Sequence, residues 1–368
     1  MTTRRFDLAP VTEGTVTVAG IRSSYLTAGP PDADEAVVLV HGNPGPAEDW
    51  RRLVARTGAF ARAVAPDLPG FGGADKPDGF VYTVDGYARH LAGVRSPYLT
   101  AGPPEADEAV VLVHGNPGPA EDWRRLVART GVFARAVAPD MPGFGGADKP
   151  DGFVYTVDGY ARHLAGVLDE LGIRRAHLVL HDFGGPWGLA WAADHPDRFA
   201  SATLVGIGVL RGYRWHSMAR IWRTSGLGEL FLRTSTLPAS RLLLQRGCPR
   251  GLPRDAVDRL HRSLKDPGTQ RAVLRLYRAT DMAAVAEDLH RRLQGIDRPV
   301  LAVWGRHDPY LPVAYAERQR ETFPHAEVSV LDDSGHWPML DDPVGLEQVV
   351  LPFLVRVTAG APAGAGPR

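Results

Sequence analysis

Four short segments carry residues able to do chemistry. In Leu180-His181-Asp182-Phe183-Gly184-Gly185 a carboxylate stands between an apolar run and a helical pattern. A carboxylate is ionised at neutral pH and attacks without help from a base. It suits displacement at a saturated carbon, with an alkyl ester of Asp182 as the product. Asp is equally a good helix-capping residue, and this segment alone leaves both readings open. Val113-His114-Gly115-Asn116-Pro117-Gly118 ends another apolar run. A glycine turn there can aim the Asn116 N–H at the nucleophile and, with the Phe183 N–H, form an oxyanion hole; a plain strand-ending turn has the same appearance. Gly305-Arg306-His307-Asp308-Pro309 and Asp333-Ser334-Gly335-His336-Trp337-Pro338 follow two later runs. A single histidine is commonly structural, and the chain has 13. An Asp after one strand and a His after the next, in the order nucleophile, acid, base, is the order of a catalytic triad: Asp182, Asp308, His336.

Such groups need a rigid frame. Continuous apolar runs at 36–40, 109–113, 176–180, 202–206 and 300–304 read as strands buried on both faces, with 60–65 and 328–331 beside them. Alternating or short strands are expected at 14–19 and 23–27. Helical patterns cover 46–57, 83–94, 157–171, 187–194 and 344–355. Strands alternating with helices predict an α/β fold, a mostly parallel sheet with helices on both faces. From 211 to 293 the pattern is helical and Arg-rich without a strand, which predicts a helical cap inserted between two strands.

Residues 22–94 recur as 95–167 with four differences: Ser24/Pro97, Asp32/Glu105, Ala59/Val132 and Leu68/Met141. Two nearly identical units do not make a solenoid, which needs about three or more diverged ones. A recent tandem duplication or an assembly error fits better, and one copy is surplus. The second copy runs unbroken into the helix at 157–171 and the strand before Asp182, so the oxyanion turn is assigned to Asn116 rather than Asn43. The expected organisation is an N-terminal strand region at 1–21, the surplus copy at 22–94, a first core part at 95–210, the cap at 211–293, a second core part at 294–357 and a disordered tail at 358–368. A surplus copy that exposes apolar strands carries an aggregation hazard, so a misfolded or inactive product of the duplication is an alternative to an enzyme.

The bulk chemistry narrows the partners. Lys plus Arg and Asp plus Glu both number 42, so no whole-chain charge favours nucleic acid or an anionic membrane. Cys248 is the single cysteine, which gives no internal disulfide and reads as a small buried residue. No run approaches the ~18 apolar residues of a membrane helix, and a soluble, cytoplasmic protein is expected.

Taken together, the four segments and the loop Pro139-Asp140-Met141-Pro142-Gly143-Phe144-Gly145 resemble the α/β-hydrolase superfamily, in its aspartate-nucleophile branch of epoxide hydrolases and haloalkane dehalogenases. The resemblance covers 14 to about 355. It implies that Asp182 forms the ester and that His336, supported by Asp308, activates water to hydrolyse it. The Asn116 and Phe183 backbones would stabilise the second oxyanion, with no metal or organic cofactor. The substrate is expected to be a small apolar organic molecule; oligomeric state is not readable. Dehalogenases of this branch hold the halide between an Asn after His-Gly and a Trp after the nucleophile. Asn116 matches the first, and Phe183, which has no donor, departs from the second. Trp187, Trp215 or Trp222 are substitutes. Epoxide hydrolases use cap tyrosines, for which Tyr213 and Tyr277 are candidates. Leu180 and Asn116 depart from that pattern. Epoxide hydrolysis is the first expectation and dehalogenation the second.

Overall fold

The computed structural model describes residues 8–18, 21–33, 35–77, 87, 94–245 and 247–359. Two compact units divide the chain, one of 1–94 with 150–154 and one of 95–149 with 155–368.

The first unit is a four-stranded sheet in the order β1-β2-β4-β3. β1 (Thr12–Val18) and β2 (Ile21–Ala28) form an antiparallel hairpin, β2 runs antiparallel to β4 (Arg62–Pro66), and β3 (Ala36–Val38) runs parallel to β4. Helix α1 (Arg51–Thr57) supplies Val54 to a small core with Leu26, Ala28, Ala63 and Ala65. The run at 36–40 was expected to be buried on both faces. In this copy β3 is a three-residue edge strand, exposed at every residue, because β4 is its sole strand partner. The helix expected at 83–94 lies outside the described residues, Tyr87 and Val94 apart.

The second unit is a seven-stranded sheet in the order β11-β10-β9-β8-β6-β7-β5. Its members are β5 (Tyr98–Ala101), β6 (Glu108–Val113), β7 (Arg135–Pro139), β8 (Arg175–His181), β9 (Phe199–Val205), β10 (Val300–Gly305) and β11 (Glu327–Leu331). Only β5 is antiparallel to its neighbour. β6 has the same sequence character as β3, yet here it lies between β7 and β8 and its apolar residues are buried. Helices cover both faces, as apolar strands of this kind require. On one, α2 (Arg124–Thr130) joins the same apolar cluster as Val110, Leu112 and Val179. On the other, α3 (Val157–Glu170) packs on α4 (Gly184–Asp194).

Between β9 and β10 the chain forms α5 (Ser217–Arg223), α6 (Leu227–Thr234), α7 (Leu237–Leu244), α8 (Arg254–Lys265), α9 (Pro267–Ala279) and α10 (Met282–Leu293). Five of the six start on a side-chain cap. Asp266, for example, accepts from the Thr269 N–H and Pro267 opens α9. Short α11 (Ala314–Arg318) and α12 (Pro338–Asp341) follow, and α13 (Pro343–Thr358) closes the unit. Thr358, expected in a disordered tail, is the last residue of α13, where its hydroxyl bonds the Leu354 carbonyl. Residues 360–368 lie outside the described set. Among the described residues, no helix is long and apolar enough to cross a membrane.

Candidate active site

The segments that carry the chemistry all leave the carboxyl ends of parallel strands, where ligands of open α/β sheets collect. The Asn116 turn follows β6, Asp182 follows β8, Asp308 follows β10 and His336 follows β11.

Asp182 has φ +48°, the only positive φ at a non-glycine among the described residues. Left-handed backbone is costly for a side-chain residue and persists where the surroundings impose it. Here β8 is buried from Ala176 to His181 and α4 begins at Gly184, so a single residue must reverse the chain. The turn is closed by the Gly185 N–H on the Asp182 carbonyl at 2.9 Å. Gly115 permits its close approach: a Cβ there would lie 2.4 Å from Asp182 Oδ1 and 2.6 Å from the Phe183 nitrogen. The capping alternative for Asp182 is not what the structure has. Its side chain makes no cap bond to α4, and Oδ1 instead accepts the Asn116 N–H at 2.7 Å. The Phe183 N–H sits beside the same turn.

His336 stands on the other side of the carboxylate, its Nε2 3.7 Å from Asp182 Oδ2. Its Nδ1 is 2.8 Å from Asp308 Oδ2. Asp308 is held in turn, since Oδ1 accepts the Tyr310 and Leu311 N–H groups at 2.8 and 2.9 Å. Burial disfavours a charged imidazole, but the two carboxylates outweigh it and push His336 up to about 10. Burial would likewise raise Asp182, and its contact with His336 overrides this and lowers it. The site therefore rests as an imidazolium between two carboxylates.

The loops are pinned by buried polar groups. His114 Nε2 accepts the Met141 N–H at 2.9 Å, which leaves its Nδ1–H to the Gly115 carbonyl at 2.8 Å. Burial depresses its basicity and keeps it neutral. His181, pushed down to about 4 by burial, donates from Nε2 to the His336 carbonyl at 2.7 Å. Asp341 accepts from the Ser334 hydroxyl and the Gly335 N–H, fixing the loop that carries His336. Sequence reasoning assigned no role to His181 or Asp341. The His beside Asp182 was visible, but its partner is a backbone carbonyl 155 residues away.

Above the carboxylate lies a cavity of about 930 Å³, counting the space open to its mouth. Among the described residues, Asp182 and His336 are the only charged side chains on its wall; the rest is mostly aromatic and aliphatic. Tyr277 and Trp222 enter from the cap, and Tyr213 and Trp215 from the stretch before α5. Helix α9 buries Ala272, Val273, Leu276 and Tyr277, one face at helical spacing, and this turns Tyr277 inward. The Arg278 ion pair with Glu229 ties α9 to α6. The Tyr277 hydroxyl accepts from Asn116 Nδ2 at 3.2 Å, and burial pushes its ionisation upward, so it stays a neutral O–H. Asn116 Oδ1 is buried without a protein partner. The indole N–H of Trp222 is also buried and unpartnered.

Trp187 is a correction. It was a candidate to hold a leaving group, but it does not line the cavity. Helix α4 carries it down into the contact with α3, where it stacks on Tyr160 at 3.9 Å. Trp215 does line the cavity, 6.3 Å from Phe183 ring to ring, and Tyr213 lines it with its phenol bonded to the His216 backbone. Among the described residues, no group of three or more His, Cys, Asp or Glu is arranged to hold a metal. Cys248 is buried.

The sequence profile of the alpha/beta hydrolase fold matches residues 108–343, more than half of the chain. This chain belongs to the α/β-hydrolase family. A second profile, described as alpha/beta hydrolase family, matches 37–105 of this hydrolase, chiefly within the first copy. A 2-hydroxy-6-oxononadienedioate/2-hydroxy-6-oxononatrienedioate hydrolase of Burkholderia vietnamiensis is 31% identical over 68% of this hydrolase and 88% of the relative. A cis-3-alkyl-4-alkyloxetan-2-one decarboxylase of Xanthomonas campestris is 29% identical over 72% and 93% respectively. Among solved structures, an ancestral haloalkane dehalogenase is 25% identical with a TM-score of 0.62, covering 72% of this hydrolase and 96% of that chain. A 2-hydroxy-6-oxo-6-phenylhexa-2,4-dienoate hydrolase from Rhodococcus is 25% identical with a TM-score of 0.60, covering 72% and 95%.

Proposed function

We propose that the hydrolase opens a strained oxygen ring in a neutral apolar molecule, an epoxide first, through an ester on Asp182. The observation that carries this reading is the Tyr277 hydroxyl, buried in the cavity wall and hydrogen-bonded by Asn116. Because that bond uses an oxygen lone pair, the phenol proton is left for a ligand.

Asp182 attacks a ring carbon, the carbon–oxygen bond breaks, and the ring oxygen takes the Tyr277 proton. A hydroxyalkyl ester results. Esterification removes the negative charge of Asp182, one of the two that hold His336 protonated, so the imidazole releases its proton, which passes through solvent to the Tyr277 phenolate and restores its hydroxyl. Neutral His336 then takes a proton from water, and the water attacks the ester carbonyl. The acyl–oxygen bond breaks, a diol leaves and the Asp182 carboxylate returns. Asp308 keeps the ring oriented throughout. The Asn116 and Phe183 N–H groups flank the carbonyl oxygen on which charge builds in the second step.

An oxetan-2-one, the ring in the name of the Xanthomonas campestris relative, is likewise a strained oxygen ring, but attack at its saturated carbon expels a carboxylate, which needs no proton from Tyr277. The dienoate substrates named for other relatives are anions, and among the described residues no Lys or Arg lines this cavity to receive a carboxylate. A second reading, displacement of halide, has one observation in its favour: Asn116 Nδ2 and the unpartnered Trp222 N–H belong to the same cavity.

The deciding experiment is single turnover by His336→Gln with panels of epoxides, oxetanones and bromoalkanes. The expected result is a peptide containing Asp182 whose mass has grown by that of the whole epoxide. Growth only with bromoalkanes, with bromide released, would establish the second reading. No labelled peptide with any panel, together with wild-type turnover of simple esters, would reject the aspartyl ester altogether.

A further inference from the structure

The cap carries a second concavity, lined by Tyr213, Arg214, Trp215, Arg220, Arg223, Thr224, Asp281, Met282 and Ala283. Three of these, Tyr213, Trp215 and Met282, also line the cavity over Asp182. The two spaces thus share a wall of one phenol, one indole and one thioether, and Trp215 is half-buried within it. The inner space is apolar and the outer one cationic.

Three arginines converge on this groove. Several cap arginines meet carboxylates, Arg211 with Glu287, Arg241 with Asp258 and Arg278 with Glu229, while among the described residues Arg233, Arg254 and Arg262 form no ion pair and lie away from the groove. Among the described residues, no carboxylate lies within ion-pair distance of Arg214, Arg220 or Arg223. Arg220 donates from Nε to the Trp215 carbonyl at 2.9 Å. Arg223 bonds the Tyr277 and Thr280 carbonyls and lies 5.1 Å over the Trp215 ring. The groove's one acid, Asp281, accepts the Ala283 and Ala284 N–H groups at the start of α10. Two of the arginines are therefore anchored by backbone with their charge uncompensated, and exposed Arg214 extends the same positive field.

We propose that this groove binds the anionic head group, a carboxylate or its sulfonate counterpart, of a substrate whose apolar body enters the adjoining cavity. The inference deepens the ring-opening reading and rests on it for catalysis. A short acid would have to bring its charge inside, against a mostly apolar wall whose cation among the described residues, His336, already lies between two carboxylates. A longer amphiphile leaves its charge among the arginines. Its alkyl part passes Trp215 and Met282, and its strained ring meets Asp182.

Binding can be read apart from chemistry. Octanoate, decanoate and dodecanoate, each against its own amide, are titrated into wild type by tryptophan fluorescence and calorimetry. At low salt one of the acids binds about five- to tenfold more tightly than its amide, the yield of two or three partly screened charge contacts. The gap narrows as salt shortens the reach of those charges. It closes in Arg214→Gln/Arg220→Gln, and it narrows in Arg214→Gln alone, which disturbs no hydrogen bond to Trp215. A companion assay compares kcat/KM for an epoxide ending in carboxylate with that of its methyl ester. The acid-to-ester ratio exceeds one in wild type and falls towards one in the variants. Equal binding of acids and amides by wild type, or a gap that survives both substitutions, overturns the anion site. Tight alkanoate binding with no epoxide ever labelling Asp182 upholds the groove and removes the ring-opening reading.

Discussion

At the scale of single residues, the site is one cation between two anions. Asp308 Oδ1 is taken by two N–H groups, which leaves Oδ2 for His336. The sign of its pH dependence follows from this. His336 is raised from 6.5 to about 10, so its stabilisation is fully present below pH 6.5 and is lost as pH rises through about 10. Asp182 is lowered, so its share is present above the ordinary carboxylate range and is lost in acid. The melting-temperature difference between wild type and His336→Gln is therefore expected to be widest around pH 5 to 6.5 and to shrink towards alkaline pH. A difference that grows with pH would contradict the imidazolium ground state. Tyr277→Phe tests the proposed proton donor. Epoxide kcat/KM is expected to fall by roughly 10²–10³, the usual cost of one lost donor to a developing oxyanion, with less effect on ester formation from a bromoalkane. Equal losses on both substrates would make Tyr277 a packing residue.

At the scale of elements, position comes from strand ends and from histidines, His114 and His181, that do not line the cavity. The strand-to-helix turn of β8 and α4 sets Asp182, but the loop after β11 needs a separate anchor, and His181 supplies it through the His336 carbonyl. His181→Phe keeps the bulk and removes the donor. A buried carbonyl left unpaired costs about 1–3 kcal/mol, readable in urea melts. Because the His181 hydrogen bond goes to the loop that carries His336, hydrolysis of the trapped ester should slow more than its formation, and the pH profile of that second step should shift. A uniform loss in both steps with an unmoved pH profile would assign His181 to stability alone.

At the scale of the whole chain, two nearly identical segments meet opposite fates. Val37 and Val38 are 41% and 53% exposed, while their counterparts Val110 and Val111 are 0%. Local pairing is the same in both: Val37 faces Ala63 as Val110 faces Ala136, and His41 accepts from Leu68 as His114 does from Met141. What β3 lacks is the neighbour that β6 finds in β8. An exposed apolar edge strand invites association with other chains. Deleting 22–94 would attach β1 to β5 through the same junction that now attaches it to β2. The shortened chain is expected to remain active, to aggregate less at high concentration in light scattering, and to unfold in one cooperative transition. Loss of folding on deletion would show the first copy to be a structural part of the enzyme.

The α/β alternation, the helical stretch at 211–293 and the strand-end positions of Asp182, Asp308 and His336 were legible in the sequence, because strand burial, helical spacing and chain order are local or linear properties. The Asp182 turn was half legible: the Gly-rich segment announced a bend, but whether the carboxylate capped α4 or faced the Asn116 N–H depended on a loop 66 residues away. Only the tertiary structure could send Trp187 into the core and Trp215 and Tyr277 to the cavity, since which side of a helix meets empty space is set by what packs against it. The same holds for the repeat. Identical residues carry identical local preferences, so the sequence could not make one copy a buried sheet and the other an open edge; access to β8, which one strand at a time can pair on that side, decided it.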